Sequence, residues 1–150
     1  AHFEAKGKEA AVTLAFSEPC SVQGNESLLR SAIENVVRNA VRYTDSGTDV
    51  EIGLAFADIA DDSVVDGAAS HCAIVSVRDH GPGVSDDHLA HLFEPFYRSA
   101  DSRDRQSGGT GLGLSITERA VRLHGGTVDA RNATDGGLIV EIRLPVNYRP

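Results

Sequence analysis

Residues 25–44, NESLLRSAIENVVRNAVRYT, carry the pattern on which the fold depends. Apolar pairs recur at positions 28/29, 32/33, 36/37 and 40/41, and this four-residue interval predicts a long helix with one buried face. Asn25 stands before the first turn as an N-cap, and the stretch TDSG at 44–47 ends the helix. We therefore expect a long amphipathic helix packed on a hydrophobic layer.

Alternating apolar residues elsewhere predict strands. Three stretches alternate with period two, as strands with one buried face do. They contain Val12, Leu14 and Phe16; Val50, Ile52, Leu54 and Phe56; and Leu138, Val140, Ile142 and Leu144. Residues 72–79 (CAIVSVRD) are apolar on both alternations, which predicts a strand covered on both sides, and 127–131 indicates a shorter strand. The sequence DGG at 135–137 is typical of a hairpin turn.

Further helices are expected at 112–124, with Gly125 as C-cap, and at 86–91 as a short helix. The apolar side of the longer one is predicted to contain Leu112, Ile116, Ala120 and Leu123. The acidic stretch between Phe56 and Cys72 indicates a long connection. Together these elements predict an α+β fold, a two-layer α/β sandwich whose sheet of about five strands packs against about three helices.

Composition limits the possible functions. A chain of 150 residues with 41% hydrophobic and 24% charged residues is typical of one globular domain. The net charge of -8 disfavours nucleic-acid binding, which needs clustered positive charge. Cys20 and Cys72 stand alone, so neither a disulfide framework nor a zinc site is indicated. No stretch approaches the roughly 18 apolar residues of a membrane span.

A glycine-rich loop, GGTGLGL at 108–114, precedes the second long helix. It is not a P-loop, because Leu114 stands where that motif needs lysine, and its glycine order differs from the dinucleotide-binding fingerprint. Glycines let the main chain approach a ligand, and a helix N-terminus favours anions. The loop therefore indicates an anion site, or else only a flexible connection with a tight turn into the helix.

Asp79 follows the buried strand and begins the turn Asp79-His80-Gly81-Pro82-Gly83. This sequence is typical of a simple turn. Its functional interpretation is a buried carboxylate that accepts from an amino group and repels a carbonyl, so that it favours adenine over guanine.

Asn35 and Asn39 lie one turn apart on the long helix, and Arg42 and Tyr43 continue that line. Asparagine is a mediocre helix former, so two on one seam suggest a function. They are either solvent-facing or core-bonded amides, or a site where Mg2+ takes a neutral oxygen ligand.

Four stretches resemble, in order, the N, G1, F and G2 boxes of bacterial sensor histidine kinases. They are 35–44, 79–83, 92–96 (LFEPF) and 109–114, and Gly136-Gly137 looks like the weaker G3 feature. The resemblance spans about residues 10–145. It implies the catalytic ATP-binding domain of the superfamily shared with DNA gyrase, Hsp90 and MutL, with a mixed sheet and a Bergerat-type fold.

The resemblance also implies roles for single residues, with ATP and Mg2+ as cofactors. Asn39 would ligate Mg2+, Asn35 would be the catalytic position beside the phosphates, and Asp79 would receive the adenine amino group. The other implied ATP-binding residues are Arg42, which approaches the phosphates, Tyr43, which lines the base pocket, and Gly81, Gly83, Arg98, Gly109, Thr110, Gly111, Leu112, Gly113 and Leu114.

Residues 96–111 look like the ATP lid of that family. Arg98, Arg103 and Arg105 within it are candidate partners of the triphosphate, although YRSADSRDR also fits a solvated charge run. Residues 92–96 would anchor the lid and touch a partner helix, or would simply fill the core.

Related ATPases carry a glutamate one turn before the magnesium asparagine, where this chain has Asn35. An amide cannot take a proton at neutral pH, so phosphoryl transfer to a better nucleophile is favoured over water attack. Glu34 should point away, because one residue turns a helix by about 100°. None of the six histidines has the phosphoacceptor context, so the resemblance places that histidine on a helical hairpin before residue 1.

The expected partners are thus an N-terminal dimerisation and phosphoacceptor domain and a response regulator, with no nucleic acid. We expect this domain to be monomeric and cytoplasmic, and the full-length protein to be a homodimer anchored in the bacterial inner membrane. An anti-sigma-type serine kinase and a nucleotide-binding module without phosphoryl transfer are the alternatives. Two departures from the family pattern are His80, where asparagine is common, and the long connection 58–71.

Overall fold

A computed structural model describes residues 10–59, 70–97 and 111–146 of the chain. Its elements are β1 (Val12–Ser17), α1 (Glu26–Tyr43), β2 (Val50–Ile59), β3 (Ser70–Arg78), α2 (Asp86–Leu89), α3 (Gly113–Leu123), β4 (Thr127–Asn132) and β5 (Leu138–Val146). Each corresponds to a predicted element. The predicted α+β sandwich is confirmed.

The strands form one mixed sheet in the order β1-β2-β3-β5-β4. β1 pairs with β2 in parallel, while the other neighbours are antiparallel. A parallel pair needs a crossover connection, and α1 supplies it. The core lies between the sheet and the two longer helices, where α1, α3 and one face of the strands contribute its apolar side chains.

The α1 helix follows the apolar pattern closely. Ala32, Val36, Val37, Ala40 and Val41 are buried, which is the face that the four-residue interval predicts. At the N-terminus the Asn25 side chain accepts a hydrogen bond from the Leu28 N–H at 3.0 Å, so the predicted N-cap is confirmed. At the other end the N–H of Thr44 donates to the carbonyl of Ala40 at 2.8 Å.

The prediction of one buried face in β1 was wrong. Leu14 is paired with Ile52, but the next paired position is Phe16 with Gly53, because a bulge interrupts the register between them. A bulge reverses the alternation of side chains, so the Phe16 ring lies over Gly53, where an added Cβ would be 2.1 Å from it. Phe16 is consequently 52% exposed, and Leu14, which precedes the bulge on this edge strand, is 66% exposed.

The apolar side predicted for α3 was right at Ala120 but wrong at Ile116 and Leu123. Thr117, Ala120 and Val121 are buried, whereas Ile116 and Leu123 are 49% and 71% exposed. Thr117 lies on the buried side, where its hydroxyl is 2.9 Å from the Ala32 carbonyl oxygen of α1, to which it can donate. A pattern of apolar residues could not predict the burial of Thr117, because a polar residue is buried when it finds a hydrogen-bond partner. The C-cap is His124, one residue before the predicted Gly125, which follows it with φ 73°.

The prediction that β3 is covered on both sides was wrong for most of the strand, although Cys72, on the same face as Ile74 and Ser76, is buried. Ala73, Val75 and Val77 are buried toward the helices, whereas Ile74 and Ser76 are half-buried on the opposite face. That face forms an open groove of about 360 Å³ lined by Phe16, Gly53 and Ile74 among others. The groove lies away from the asparagine seam of α1. The connection from β2 to β3 is shorter than expected, and residues 60–69 lie outside the described part of the chain.

We predict that Asn25→Ala lowers the free energy of unfolding by about 1 kcal/mol, because the Leu28 N–H loses its acceptor. Urea denaturation measures this. Asn25→Asp is the matched control, because it keeps an acceptor oxygen at the positive end of the helix and should retain wild-type stability. The backbone N–H of Asn25, which donates to His124 Nε2 at 2.9 Å, is the same in both variants. An equal loss in both variants would contradict the capping role.

Candidate ATP-binding site

Two separate segments, the turn after β3 and the start of α3, lie beside α1. The turn after β3 packs against the end of the helix, where a Cβ added to Gly81 would lie 2.1 Å from the carbonyl oxygen of Tyr43. The start of α3 faces the middle of α1, where a Cβ added to Gly113 would lie 3.8 Å from the Cβ of Asn35. The tertiary structure therefore brings together three of the four predicted motifs.

The polar seam of α1 lies at the border of its buried face. Asn35, Asn39, Arg42 and Tyr43 are all half-buried. Glu34 is exposed, as predicted from the rotation of one residue along a helix. The seam therefore presents amide and guanidinium groups to the site, while the neighbouring carboxylate points to solvent.

Asp79 is the buried carboxylate of the site, with only 3% of its surface exposed. Its Oδ1 accepts hydrogen bonds from the N–H of Gly81 at 2.9 Å and of Leu138 at 3.1 Å. Within the described residues, Oδ2 accepts no hydrogen bond. One oxygen thus holds the turn in place, and the other is available to a donor such as an amino group.

Burial raises the pKa of Asp79 above its ordinary value. The hydrogen bonds from Gly81 and Leu138 and the nearby His80 act in the opposite direction, and Asp45 adds to the rise. Desolvation is the largest of these influences, so the ionised form is costly in the unliganded protein. A donor that reaches Oδ2 would lower this cost, which favours binding of an amino group.

The β4–β5 hairpin supports the Asp79 turn from the other side. Gly137 has φ 87°, and a Cβ there would lie 2.0 Å from the Asp79 carbonyl oxygen, so only glycine fits. Asn132 holds Val84 with two hydrogen bonds, from its Nδ2 to the carbonyl at 2.5 Å and from the Val84 N–H to its Oδ1 at 2.8 Å. Sequence reasoning missed Asn132, because nothing local connects it to a turn 48 positions away.

The two ends of the predicted lid are joined by a hydrogen bond. The N–H of Phe96 donates to the Gly111 carbonyl at 3.0 Å, and these residues have φ 63° and 74°. Arg98, Gly109 and Thr110, with Arg103 and Arg105, lie outside the described residues. Leu112 precedes α3, and its carbonyl accepts from the Ile116 N–H at 3.0 Å. Leu114 packs against the core from the first turn of α3.

The segment 92–96 was predicted either to anchor the lid and touch a partner helix or to fill the core, and its first two residues fill the core. Leu92 and Phe93 pack against the core, whereas Phe96 is 73% exposed at the end of the lid. The next residue, Tyr97, forms a hydrogen bond with His88 Nδ1 and lies beside the His91 ring, with centroids 5.2 Å apart. Spacing alone gave no sign of this aromatic cluster.

Comparison with known proteins agrees with this architecture. The family described as "Histidine kinase-, DNA gyrase B-, and HSP90-like ATPase" matches residues 24–148. The sensor histidine kinase CpxA of Escherichia coli (strain K12) is 42% identical over 150 residues, which is 99% of this chain and 30% of that protein. The signal transduction histidine-protein kinase BaeS of the same organism is 37% identical over 135 residues, 89% of this chain and 26% of that protein.

Solved structures show the same fold. The mycobacterial sensor histidine kinase MprB superposes with a TM-score of 0.72 at 27% identity, covering 91% of this chain and 81% of that one. Full-length ShkA, solved in complex with AMPPNP, gives a TM-score of 0.63 at 29% identity, covering 93% of this chain and 26% of that one.

The chain therefore belongs to the family of histidine kinase-, DNA gyrase B- and HSP90-like ATPases. Within that family it is a catalytic ATP-binding domain of the sensor histidine kinase type. It spans 30% of the length of CpxA. Among the described residues, no helix has the length and apolar character that crossing a membrane requires.

We predict that Asp79→Asn removes a pH-dependent part of the stability. Because burial raises the pKa of Asp79 in the folded state, its contribution is fully present below the unfolded pKa and is lost as pH rises through the folded pKa. Relative to the variant, the wild type should therefore lose stability as pH rises from about 4 toward neutral. Thermal unfolding across that range measures it.

Asp135→Asn is the matched control with the opposite sign. The hydrogen bond from Arg78 lowers the pKa of Asp135, so its contribution is present above the unfolded pKa and is lost as pH falls. Its exposure makes that contribution small and sensitive to salt. Parallel curves for wild type and Asp79→Asn across the range would show that desolvation of Asp79 has no energetic consequence.

Proposed function

We propose that this chain binds Mg-ATP and donates the γ-phosphoryl group to a histidine on a separate helical domain, in two-component signal transduction. The observation that carries the proposal is the buried carboxylate of Asp79, which has one oxygen available to a donor and lies in a turn packed on the asparagine helix. Membership of the sensor histidine kinase type makes ATP the expected nucleotide.

Asp79 would accept the adenine amino group. A carboxylate accepts hydrogen bonds and repels a carbonyl oxygen, so a purine with an amino group at the six-position is favoured over guanine. Gly81 and Gly83 would keep this turn close to its neighbours, since a Cβ at Gly81 would lie 2.1 Å from the Tyr43 carbonyl oxygen and one at Gly83 would lie 2.8 Å from Asn132 Oδ1. Tyr43, half-buried at the end of α1, would line the base pocket.

The phosphates would lie between α1 and the start of α3. The proximity of Gly113 to Asn35 supports this placement, because the first N–H groups of α3 are unpaired within the helix and favour an anion. Residues 111–114 would offer these donors. Arg42, on the same seam of α1, would add a positive charge.

The residues present suit a magnesium ion shared with the phosphates. Asn39 offers a neutral amide oxygen on the half-buried seam, and Mg2+ is usually bound through a few protein oxygens together with water and substrate phosphates. When bound, the ion would neutralise charge on the phosphate oxygens. Asn39 would hold the magnesium ion through its amide oxygen, one helical turn from Asn35.

Transfer rather than hydrolysis follows from the chemistry of α1. Asn35 occupies the position from which a glutamate would activate water, and an amide cannot accept a proton at neutral pH. Glu34 is exposed and points away. The acceptor must therefore bring its own nucleophile.

The described histidines are engaged within this domain. Their hydrogen-bond partners are Asp58 for His71, Glu51 for His80, Tyr97 for His88, Glu94 for His91, and Asn25 and Ala120 for His124. These contacts support an acceptor histidine outside the domain. We propose that it lies on an N-terminal dimerisation domain, that a response regulator acts downstream, and that the full-length protein is a homodimer anchored in the inner membrane with this domain in the cytoplasm.

Transfer is tested by mixing this chain with a phosphoacceptor helical hairpin of a sensor kinase in trans, with γ-labelled ATP. Labelled hairpin whose phosphate is released by acid supports histidine phosphorylation. An acid-stable label would instead indicate a serine kinase. Tight ATP binding without any transfer would leave only a nucleotide-binding module.

We predict that Asn39→Ala sharply weakens Mg2+-dependent ATP binding, because the metal loses its protein ligand. Calorimetric titration with and without Mg2+ measures the effect, and circular dichroism checks the fold. Arg38→Ala is the matched control, since Arg38 is exposed on the same helix turn. An unchanged gain in affinity on adding Mg2+ would refute the role of Asn39.

We also predict that Asp79→Asn weakens ATP binding by roughly 1–3 kcal/mol, the usual magnitude for losing a hydrogen bond to a charged group. The wild type should discriminate against GTP, whereas the variant should discriminate less. Competition titrations with both nucleotides measure this. Equal affinity of the wild type for ATP and GTP would count against adenine recognition by Asp79.

A further inference from the structure

Thr44 is the C-cap residue of α1 and is completely buried, with 0% of its surface exposed. Its backbone N–H completes the last turn of the helix through the Ala40 carbonyl. Its side-chain Oγ1 accepts a hydrogen bond from the backbone N–H of His80 at 3.0 Å. One side chain therefore joins the end of α1 to the turn that contains Asp79.

The direction of the hydrogen bonds around Thr44 follows from proton counting. The hydroxyls of Thr44 and Thr48 are 2.7 Å apart, and Thr48 Oγ1 donates to the Asp45 carbonyl at 2.6 Å. A hydroxyl has one proton, so Thr48 cannot also donate to Thr44. Thr44 therefore donates to Thr48 while it accepts from His80. The series of hydrogen bonds thus runs from the N–H of His80, through the hydroxyls of Thr44 and Thr48, to the Asp45 carbonyl in the loop after α1.

These hydrogen bonds lie between the Asp79 turn and α1, the two parts of the candidate site. His80 lies between Asp79, the proposed adenine acceptor, and Gly81, which packs against the Tyr43 carbonyl. The Thr44 hydroxyl therefore holds the peptide N–H next to the carboxylate, while its own backbone belongs to the helix that carries Asn39. Loss of the hydroxyl would leave the N–H of His80 without this acceptor and let the turn shift relative to the helix.

We propose that Thr44 is a positioning residue for the nucleotide: its hydroxyl sets the Asp79 turn at the right separation from the asparagine seam of α1, so that one ATP reaches both. This inference rests on the proposed function. It differs from a general contribution to folding because it predicts coupling between Thr44 and Asp79 in nucleotide affinity.

Thr44→Val and Thr44→Ser form the matched pair for the test. Valine keeps the branched shape and removes the hydroxyl, whereas serine keeps the hydroxyl and removes the methyl group. Calorimetric titration with Mg-ATP should show a loss of about tenfold for valine, which corresponds to one hydrogen bond, and less than about threefold for serine. Thermal unfolding in the absence of nucleotide gives the folded fraction of each variant.

The double variant with Asp79→Asn separates positioning from general stability. If Thr44 acts through Asp79, then Thr44→Val should change ATP affinity by less than about threefold once Asp79 has been replaced. An equal tenfold loss in both backgrounds would overturn the inference. Should Thr44→Val fail to fold, Thr48→Val provides the second variant, because it removes the acceptor of the Thr44 proton and should weaken ATP binding in the same direction by a smaller factor.

The outcomes also distinguish this inference from the proposed function. A wild-type chain that does not bind ATP would refute the proposed function and the inference with it. A wild type that binds ATP, together with valine and serine variants of equal wild-type affinity, would refute only the role of Thr44.

Discussion

The contact between the turn after β3 and the carboxyl end of α1 is the constraint on which the site depends. Gly81 approaches the Tyr43 carbonyl so closely that no side chain fits between them, and the Thr44 hydroxyl bonds to His80 beside it. The β4–β5 hairpin closes on the same turn, with Gly137 against the Asp79 carbonyl. Two glycines and one buried hydroxyl thus define the separation between the carboxylate of Asp79 and the amides of Asn35 and Asn39, the distance that a nucleotide would span in the proposed function.

The electrostatics of Asp79 follow from that arrangement. The carboxylate is withdrawn from water and, among the described residues, receives two backbone hydrogen bonds, both at Oδ1, so burial prevails and its pKa rises. Protein interiors tolerate such a group mainly at functional sites, because an unliganded charge is costly there. A hydrogen bond from an amino group to Oδ2 would replace part of the lost solvation. The desolvation that destabilises the ionised carboxylate in the free protein would therefore favour binding of such a group.

The apolar pattern of the sequence predicted an element correctly where the residues at its regular interval are also the buried ones. The α1 helix has its predicted cap, length and buried face, because five small or branched apolar residues recur at the helical interval. The pattern failed at β1 and α3. In β1 a bulge moves Phe16 to the other face of the sheet, and in α3 the buried side includes Thr117, whose hydroxyl bonds to α1. Both effects come from a neighbouring element, which a local period does not contain.

The sequence by itself determined the succession of strands and helices along the chain and the family, and it supplied the candidate ATP-binding residues, because helical and strand periods and the four motifs are local properties of the chain. Only the tertiary structure decided which of those side chains lie together and how they are held. Asn132 and Thr44 act on the Asp79 turn from positions 48 and 36 residues away from their partners. Nothing local revealed Asn132, and the motif 35–44 contains Thr44 without showing that its hydroxyl bonds to His80. The physical reason is that burial and hydrogen bonding between distant segments arise only when the sheet and the helices pack, and these interactions set both the pKa of Asp79 and the geometry around it.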